Sequence, residues 1–283
     1  MGRAMELVAG FATNPSSTLT TVTPSNGQSF TIRGTDTTKP TWLLSTFAFC
    51  ATAGAMRFTS PRLHDQVQGY RWQVPAASVQ PKYAGPINQA WSNRLYAQDN
   101  ITAQISGGGS ELDCLGMLVA YSDLAGVQGR FIDPATLKTA GINGLTQEVT
   151  VTGGTDGNWD GGVAINSTFD TLIANTDYAI LGGIVNTRGL GVGISGVDLG
   201  NLRTGFPAEP TLQHLTNNWF VELSNAFNFP CIPVINSANK AAVIIDVMTN
   251  GAGGTYIIDL NLVQLAPNSV PQNVPAGASA QPS

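Results

Sequence analysis

The sequence predicts an all-β protein of two tandem β-sandwich units, and three observations carry that expectation. Runs rich in β-branched and aromatic residues, bounded by Gly, Pro and Asn, recur along the 283 residues. The second half also retells the first. Trp42–Pro75 and Asp177–Pro210 each open on an unbroken apolar segment (Trp42–Cys50, Tyr178–Val185) and pass a glycine-centred break at Gly54 or Gly189. Each then runs through a polar turn region and closes on Pro75 or Pro210. Both landmarks share one offset of 135 positions, so no gap separates them. Solenoid and propeller repeats are only about 20–50 residues long, so this is a duplicated domain-sized unit. The third observation is composition. Charged residues make up 11% of the chain, against about 25% in a typical soluble domain, with 32 glycines and many Thr, Ser, Asn and Gln in their place.

The repeat divides the chain into an arm over 1–17, a first unit over 18–143, a second over 144–265 and a tail over 266–283. The arm ends in the turn-rich Asn14-Pro15-Ser16-Ser17. Strands are expected at Leu19–Thr23, Ser29–Arg33, Thr41–Cys50, Met56–Thr59 and Gln68–Val74. Ser25-Asn26-Gly27-Gln28 reads as a hairpin turn, because Asn-Gly readily takes positive φ. Further strands fit Ile101–Ile105 and Leu112–Tyr121. A short helix follows at Asp133–Ala140, with Asp133 as N-cap and Pro134 at the first helical position. Glu148–Thr152, Tyr178–Val185, Ala241–Met248 and Thr255–Leu265 complete the strands.

Each unit also holds a helical excursion after its closing proline. Leu212, Leu215, Trp219, Leu223 and Phe227 recur at three- and four-residue steps, the spacing of one helix face. Ile87, Trp91 and Leu95 do the same after Pro86, with a loop and a strand as the alternative in both places. Beyond the helix two registers stay open: Leu112–Asp123 corresponds either to Ala241–Thr249 or to Tyr256–Leu265. The tail, rich in Pro, Ala, Ser and Gln, has no core-forming pattern.

Net charge is −5 and the 13 basic residues are dispersed, with Arg57, Arg62 and Arg71 the nearest approach to a cluster. That is no electrostatic footprint for nucleic acid. Low charge instead suits a β protein that gives much of its surface to protein neighbours, since charge is depleted at interface cores. Cys50, Cys114 and Cys231 lie far apart in apolar segments, without metal-ligand spacing, and read as buried small hydrophobes. The first residues lack the apolar core of a secretory signal. Trp42–Met56 is short of the ~18 apolar residues of a spanning helix. A soluble chain made in a cytoplasm is expected.

Catalytic signatures are lacking. His64 and His214 are the two histidines, neither near a cysteine or a nucleophile motif. Gly-Ile-Ser195-Gly-Val is not the elbow that positions a nucleophilic serine. Gly189-Leu-Gly191-Val-Gly193 departs from the dinucleotide fingerprint and reads as tight β-turn geometry. One local pattern has a mechanism: Asp156, Asn158 and Asp160 place oxygen ligands at alternate positions before Gly161, like the first half of a calcium-binding EF-hand loop. Position twelve falls on Ser167 instead of a bidentate Glu. The three residues form a calcium candidate, with a polar turn between the units as the alternative.

Two β units in one charge-poor chain, each with a helical excursion, resemble the double-jelly-roll major capsid proteins of tailless icosahedral phages and viruses. The resemblance covers about Ser17–Leu265 and is one of architecture and composition. It implies two eight-stranded jelly rolls in tandem with short helices in the loops. It also implies a homotrimer acting as a pseudo-hexameric capsomer, many of which tile an icosahedral shell, often over an internal membrane. Partners would be further copies of the chain, minor capsid proteins and, through the termini, that membrane, with no sequence-specific nucleic acid. The same resemblance implies a virion protein synthesised in the host cytoplasm, not an enzyme, with no cofactor beyond the calcium candidate. Three other readings compete. One is a single-jelly-roll capsid or spike subunit with a large insertion. Another is a carbohydrate- or receptor-binding sandwich of a phage fibre or adhesin, using Tyr70, Trp72 and Trp159 as a sugar platform. The third is a β-sandwich glycosidase or lyase, whose paired carboxylates need not be close in sequence.

Overall fold

The first strand, β1 (Ala4–Ala12), lies inside the segment expected to be an arm. Its sequence AMELVAGFA lacks a polar–apolar alternation because both of its faces are covered. Ala4, Val8 and Ala12 point into one core, and Met5, Leu7 and Ala9 into another. The computed structural model describes residues 4–13, 15–62, 69–83, 94–108, 112–250 and 254–271.

Nine further strands complete the first half: β2 (Thr20–Thr21), β3 (Thr23–Pro24), β4 (Thr41–Phe49), β5 (Gly54–Thr59), β6 (Tyr70–Val74), β7 (Val79–Tyr83), β8 (Arg94–Leu95), β9 (Thr102–Ser106) and β10 (Asp113–Tyr121). They pair antiparallel into a sheet ordered β3-β1-β10-β4-β7, with β8 also on β4, and a second sheet ordered β2-β9-β5-β6. The connection carries β11 (Phe131–Ile132) and α1 (Pro134–Ala140). Then come β12 (Gly141–Thr152), β13 (Trp159–Ala164), β14 (Asp177–Val185), β15 (Gly191–Ser195), β16 (Thr204–Pro207), β17 (Ile232–Asn236), β18 (Ile244–Met248) and β19 (Thr255–Leu265). Their sheets run β11-β17-β14-β19-β12 and β13-β18-β15-β16. The border expected at 143/144 therefore cuts through β12. Gly141–Asn143 extend its ladder with β19, and the first half closes at Tyr121.

Four described strands have two residues; with β3, β8 and β11 set aside and β2 kept, the eight strands of each half can be ranked in chain order. Both halves then give the same two sheets, 1-8-3-6 and 2-7-4-5. The segments aligned by the 135-position offset are strands three to five of their halves. Strand eight is β10 in one half and β19 in the other, which settles the register that the sequence left open. A β-bulge recurs as well: the pairing of strand eight with strand three skips Leu44 in the first half and Leu181 in the second.

Local expectations fare unevenly. Helix α1 forms as read, with the Thr136 amide donating to Asp133 Oδ1 at 2.7 Å and Pro134 in the first turn. The long helix after Pro210 is broken into a 3-10 turn, α2 (Gln213–Thr216) and α3 (Trp219–Phe227). At the break the Asn217 carbonyl accepts a hydrogen bond from Asn261 Nδ2 of β19. Leu95 pairs with Thr41 in β8, whereas Ile87 and Trp91 lie outside the described residues. The hairpin expected at Ser25–Gln28 is absent. Before the turn the chain pairs through β2 on β9 and β3 on β1, after it the strand expected at Ser29–Arg33 is reduced to a single bridge of Thr31 with Asn100, and Asn26 takes the left-handed conformation at φ 47° in a 3-10 turn.

Two apolar cores result. One fills the space between the two sheets of the first half. The other runs through the second half and onto the outer face of β1, β10 and β4, where Leu7, Leu118 and Phe47 belong to it. The three cysteines are buried and free. Burial, with the Asp113 carboxylate adding to it, pushes the Cys50 thiol up to about 12 and Cys114 well above its ordinary value. Burial alone lifts Cys231 to about 12. Above pH ~9 the unfolded chain gives up these protons before the folded one does, so stability should fall as pH rises from 8 to 11. The native protein should resist a thiol reagent at pH 8 and take up three equivalents on unfolding. Rapid native labelling would contradict this burial.

Candidate functional site: the buried joint between the halves

The chemically densest part of the molecule is the surface joining the two sandwiches. The outer face of the first half's 1-8-3-6 sheet lies on the outer face of the second half's 2-7-4-5 sheet. Glycines permit the approach: a Cβ on Gly205 would stand 2.8 Å from Leu7 Cδ2, and one on Gly191 3.2 Å from the Phe47 ring. The Leu7 amide donates to the Arg203 carbonyl at 2.6 Å, from strand one of one half to the start of strand five of the other. Phe47 and Trp219 meet edge to face at 6.2 Å, and Tyr83 adds a third ring, 5.5 Å from Trp219.

Polar groups lock the register around this apolar contact. Asn26, displaced from the expected hairpin, bonds the second half three times. Its amide donates to Asn158 Oδ1 at 3.0 Å and its Nδ2 to the Trp159 carbonyl at 3.1 Å, while its Oδ1 accepts from the Trp159 amide at 2.5 Å. Ser25 Oγ donates to the Gly157 carbonyl at 2.5 Å. Trp159 Nε1 donates to Gln28 Oε1, and Gln28 Nε2 donates onward to the Leu7 carbonyl, both at 3.0 Å. On the other flank the Val79 amide donates to Glu209 Oε2, and Arg188 donates to the Ala77 carbonyl while lying over the Phe49 ring.

The calcium candidates sit at the edge of this joint. Asp156 Oδ1 accepts from the Thr249 hydroxyl, Asn158 Oδ1 is taken by the Asn26 amide, and Asp160 Oδ2 is buried without a hydrogen-bond partner. Among the described residues no three His, Cys, Asp or Glu side chains gather where they could hold a metal ion. Nearby, Arg203 grips Asp246 through Nε and Nη2 at 2.6–3.1 Å and stacks 4.7 Å over the Trp159 ring. Burial raises the Asp246 carboxyl above its usual range, the Arg203 charge opposes that rise, and the Asp160 charge adds to it.

The aromatics considered as a sugar platform are not displayed as one. Trp159 is 4% exposed, under Arg203, and Tyr70 and Trp72 pack half-buried against the first core with Lys82 over both rings. His214 is exposed on α2 and Ser195 ends β15, whereas His64 lies outside the described residues.

A second buried polar cluster fastens the tail. Arg130, 3% exposed, holds Asp177 through both terminal nitrogens at 2.9 and 2.5 Å and reaches Asp198 at 3.7 Å. Its Nε donates to the Pro271 carbonyl, and Val270 is buried. The first residues of the expected coreless tail therefore lie along their own half, and residues 272–283 are outside the described set.

No family model matches the chain, and no curated protein does. Two solved structures are similar over most of its length. One is the PBSX exported protein XepA, 10% identical, with 92% of this chain and 86% of that one covered at a TM-score of 0.25. The other is the major capsid protein P2 of bacteriophage PM2, 8% identical, with 94% and 98% covered at a TM-score of 0.22. At such TM-scores neither likeness carries an argument. In the sequence the strand order is signalled by the repeated order of apolar run, glycine and proline, and the joint by its Asn-Gly dipeptide.

Proposed function

We propose that the chain is a capsid subunit: a double-jelly-roll major capsid protein whose working form is a homotrimer, a pseudo-hexameric block of an icosahedral shell. The observation that carries this reading is the joint between two sandwiches of identical strand order. The order 1-8-3-6 over 2-7-4-5 is that of an eight-stranded jelly roll, a fold used by capsid and lectin domains. Capsid assembly is favoured over lectin binding because the two units meet through unlike faces. Such a heterologous contact closes into a ring or runs on as a filament. Two units already stand joined in one chain, so on this reading a ring of six takes three chains. The low charge of the sequence fits surfaces that meet protein neighbours, and on this reading the protein works by assembly and not by catalysis.

Sedimentation of the purified protein at micromolar concentration, followed by electron microscopy, tests the proposal. A trimer and shells or shell fragments are expected. An obligate interface of this kind buries at least ~2,000 Å². A stable monomer under particle-isolation conditions would count decisively against it.

A further inference from the structure

We propose that Asn26-Gly27 is a self-modification site held unreactive by the joint. While the two sandwiches are seated the asparagine is protected; once they part it converts to aspartate or isoaspartate, and the joint cannot lock again. The latch belongs to the internal joint and does not depend on how copies assemble.

The chemistry resides in the dipeptide. The Gly27 main-chain nitrogen attacks Asn26 Cγ and gives up its proton, ammonia leaves, and a five-membered succinimide closes. Water then opens the ring. Scission between the nitrogen and Cγ gives aspartate. Scission between the nitrogen and the Asn26 main-chain carbonyl carbon gives isoaspartate, in which the chain runs through the side chain. One water is consumed and one ammonia released, with no cofactor. Glycine suits the attacking position because it has no Cβ to crowd the approach and turns freely.

The seated joint blocks the attack twice. With Asn26 at φ 47° and ψ 37°, the Gly27 nitrogen lies across the Cα–C bond from Cβ, so ring closure needs nearly half a turn of that bond. The side-chain amide cannot swing round to meet it either. Its Nδ2 donates to the Trp159 carbonyl at 3.1 Å and its Oδ1 accepts from the Trp159 amide at 2.5 Å, both main-chain groups of β13. The Asn26 amide also donates to Asn158 Oδ1, so turning this residue strips three bonds to the second half at once. The preceding Ser25 is fully buried and bonded to the Gly157 carbonyl. Asn26 itself is exposed at the rim of the joint, within reach of water. Its protection therefore comes from the bonds and not from burial.

Either product spoils the lock. Aspartate replaces the Nδ2 donor with a second acceptor facing the Trp159 carbonyl oxygen, so an attraction becomes a repulsion and that carbonyl loses its donor. Isoaspartate also lengthens the main chain by one carbon between Ser25 and Gln28, the two residues that bond Gly157 and Trp159 on either side.

Peptide mapping by mass spectrometry tests this on the full chain held at pH 8, folded and in urea. Conversion at Asn26 should be at least ~10-fold slower in the folded protein, because local opening sets its rate. Equal rates would overturn the protection. Glu209→Ala loosens the opposite flank, where Glu209 accepts from the Val79 amide, and leaves the Asn26 turn unaltered. It should raise the folded rate at Asn26 at least ~3-fold. Should it fail to fold, Phe47→Leu, which thins the contact with Trp219, takes its place. Asn143-Gly144, in β12 of the second half's other sheet, is the comparison within the same maps and should not respond. No acceleration at Asn26, or an equal one at Asn143, would overturn gating by the joint. Asn26→Asp supplies one product directly and should lower the urea midpoint at constant slope. An unchanged midpoint would overturn the claim that the modified joint cannot lock.

Discussion

Arg130→Met should cost about 3–5 kcal/mol of stability, because it leaves buried carboxylates without their cation. The guanidinium is fully enclosed, its side chain 1% exposed, with Asp177 and Asp198 each 6% exposed. It also ties five stretches of chain together. The connection between the halves supplies Arg130, strand three Asp177, the turn after β15 Asp198, strand six Asn236 and the tail the Pro271 carbonyl. Asn236 completes the network by donating from Nδ2 to Asp177 and from its amide to Asp198, and Asn239 Nδ2 supplies a third donor to the carboxylates. Urea denaturation followed by tryptophan fluorescence measures the loss. Arg130→Lys should fall between the two, since a lysine keeps the charge but lacks the fork that holds both Asp177 oxygens. Adding Asp177→Asn to Arg130→Met should cost less than the two single losses combined, since it relieves one stranded charge. An unchanged midpoint in Arg130→Met would mean that the network contributes nothing to folding.

The duplication was legible because it is written in strands three to five, where an apolar run, a glycine and a proline keep their order. The first strand was not legible, and the reason is physical. Period-two alternation marks a strand with one wet face, and β1 has none because both of its faces are covered. Strands β15, β16 and β17 were hidden similarly: Gly191-Val-Gly193 reads as a tight β turn until Phe47 is seen lying over Gly191, with Leu7 beside it on Gly205 of β16. Local helix signals succeeded where the cap is local, as at Asp133. They failed after Pro210, where Asn261 from a distant strand captures the Asn217 carbonyl and the helix breaks.

The joint was visible only in fragments. Asn26-Gly27 was recognised as a place for positive φ, and Asn26 does adopt it. The purpose differs: the turn aims Asn26 at Asn158 and Trp159, more than a hundred residues away, and no short-range rule can see that. Asp156, Asn158 and Asp160 drew attention for their alternate oxygens, and two of those oxygens are spent on Thr249 and Asn26. Trp159, singled out as an exposed aromatic, is the buried anvil on which Arg203 rests. Polar residues in a β protein with few charges are therefore ambiguous in sequence, because the same Asn or Gln serves a solvated turn or a dry junction.

Gly54→Ala is expected to be the more damaging of two matched substitutions, with Gly189→Ala the milder. Each glycine follows strand three and backs onto the last residue of strand seven in its own half. A Cβ at Gly54 would lie 1.8 Å from the Ser106 carbonyl oxygen, and one at Gly189 2.9 Å from that of Met248. Both obstacles are backbone atoms, so neither can swing aside as a side-chain tip would. Relief at Gly54 requires β5 and β9 to part where the Ala55 amide bonds Ser106 Oγ and the Cys50 thiol reaches the Ser106 carbonyl. Overpacking a tight core costs about 1–3 kcal/mol, and a forced shift of paired backbone costs more. Gly54→Ala should therefore lose at least about 3 kcal/mol and Gly189→Ala about 1–2 kcal/mol, both read from denaturant midpoints at constant slope. The contrast is the informative part. On the ladders Ala55 and Gly191 face the last residue of strand seven in their halves, so Gly54 matches Leu190 and the two glycines stand one position apart. Both substitutions should still destabilise, with the ranking set by the clearances, and a neutral Gly54→Ala would show that strands four and seven are not held at this separation.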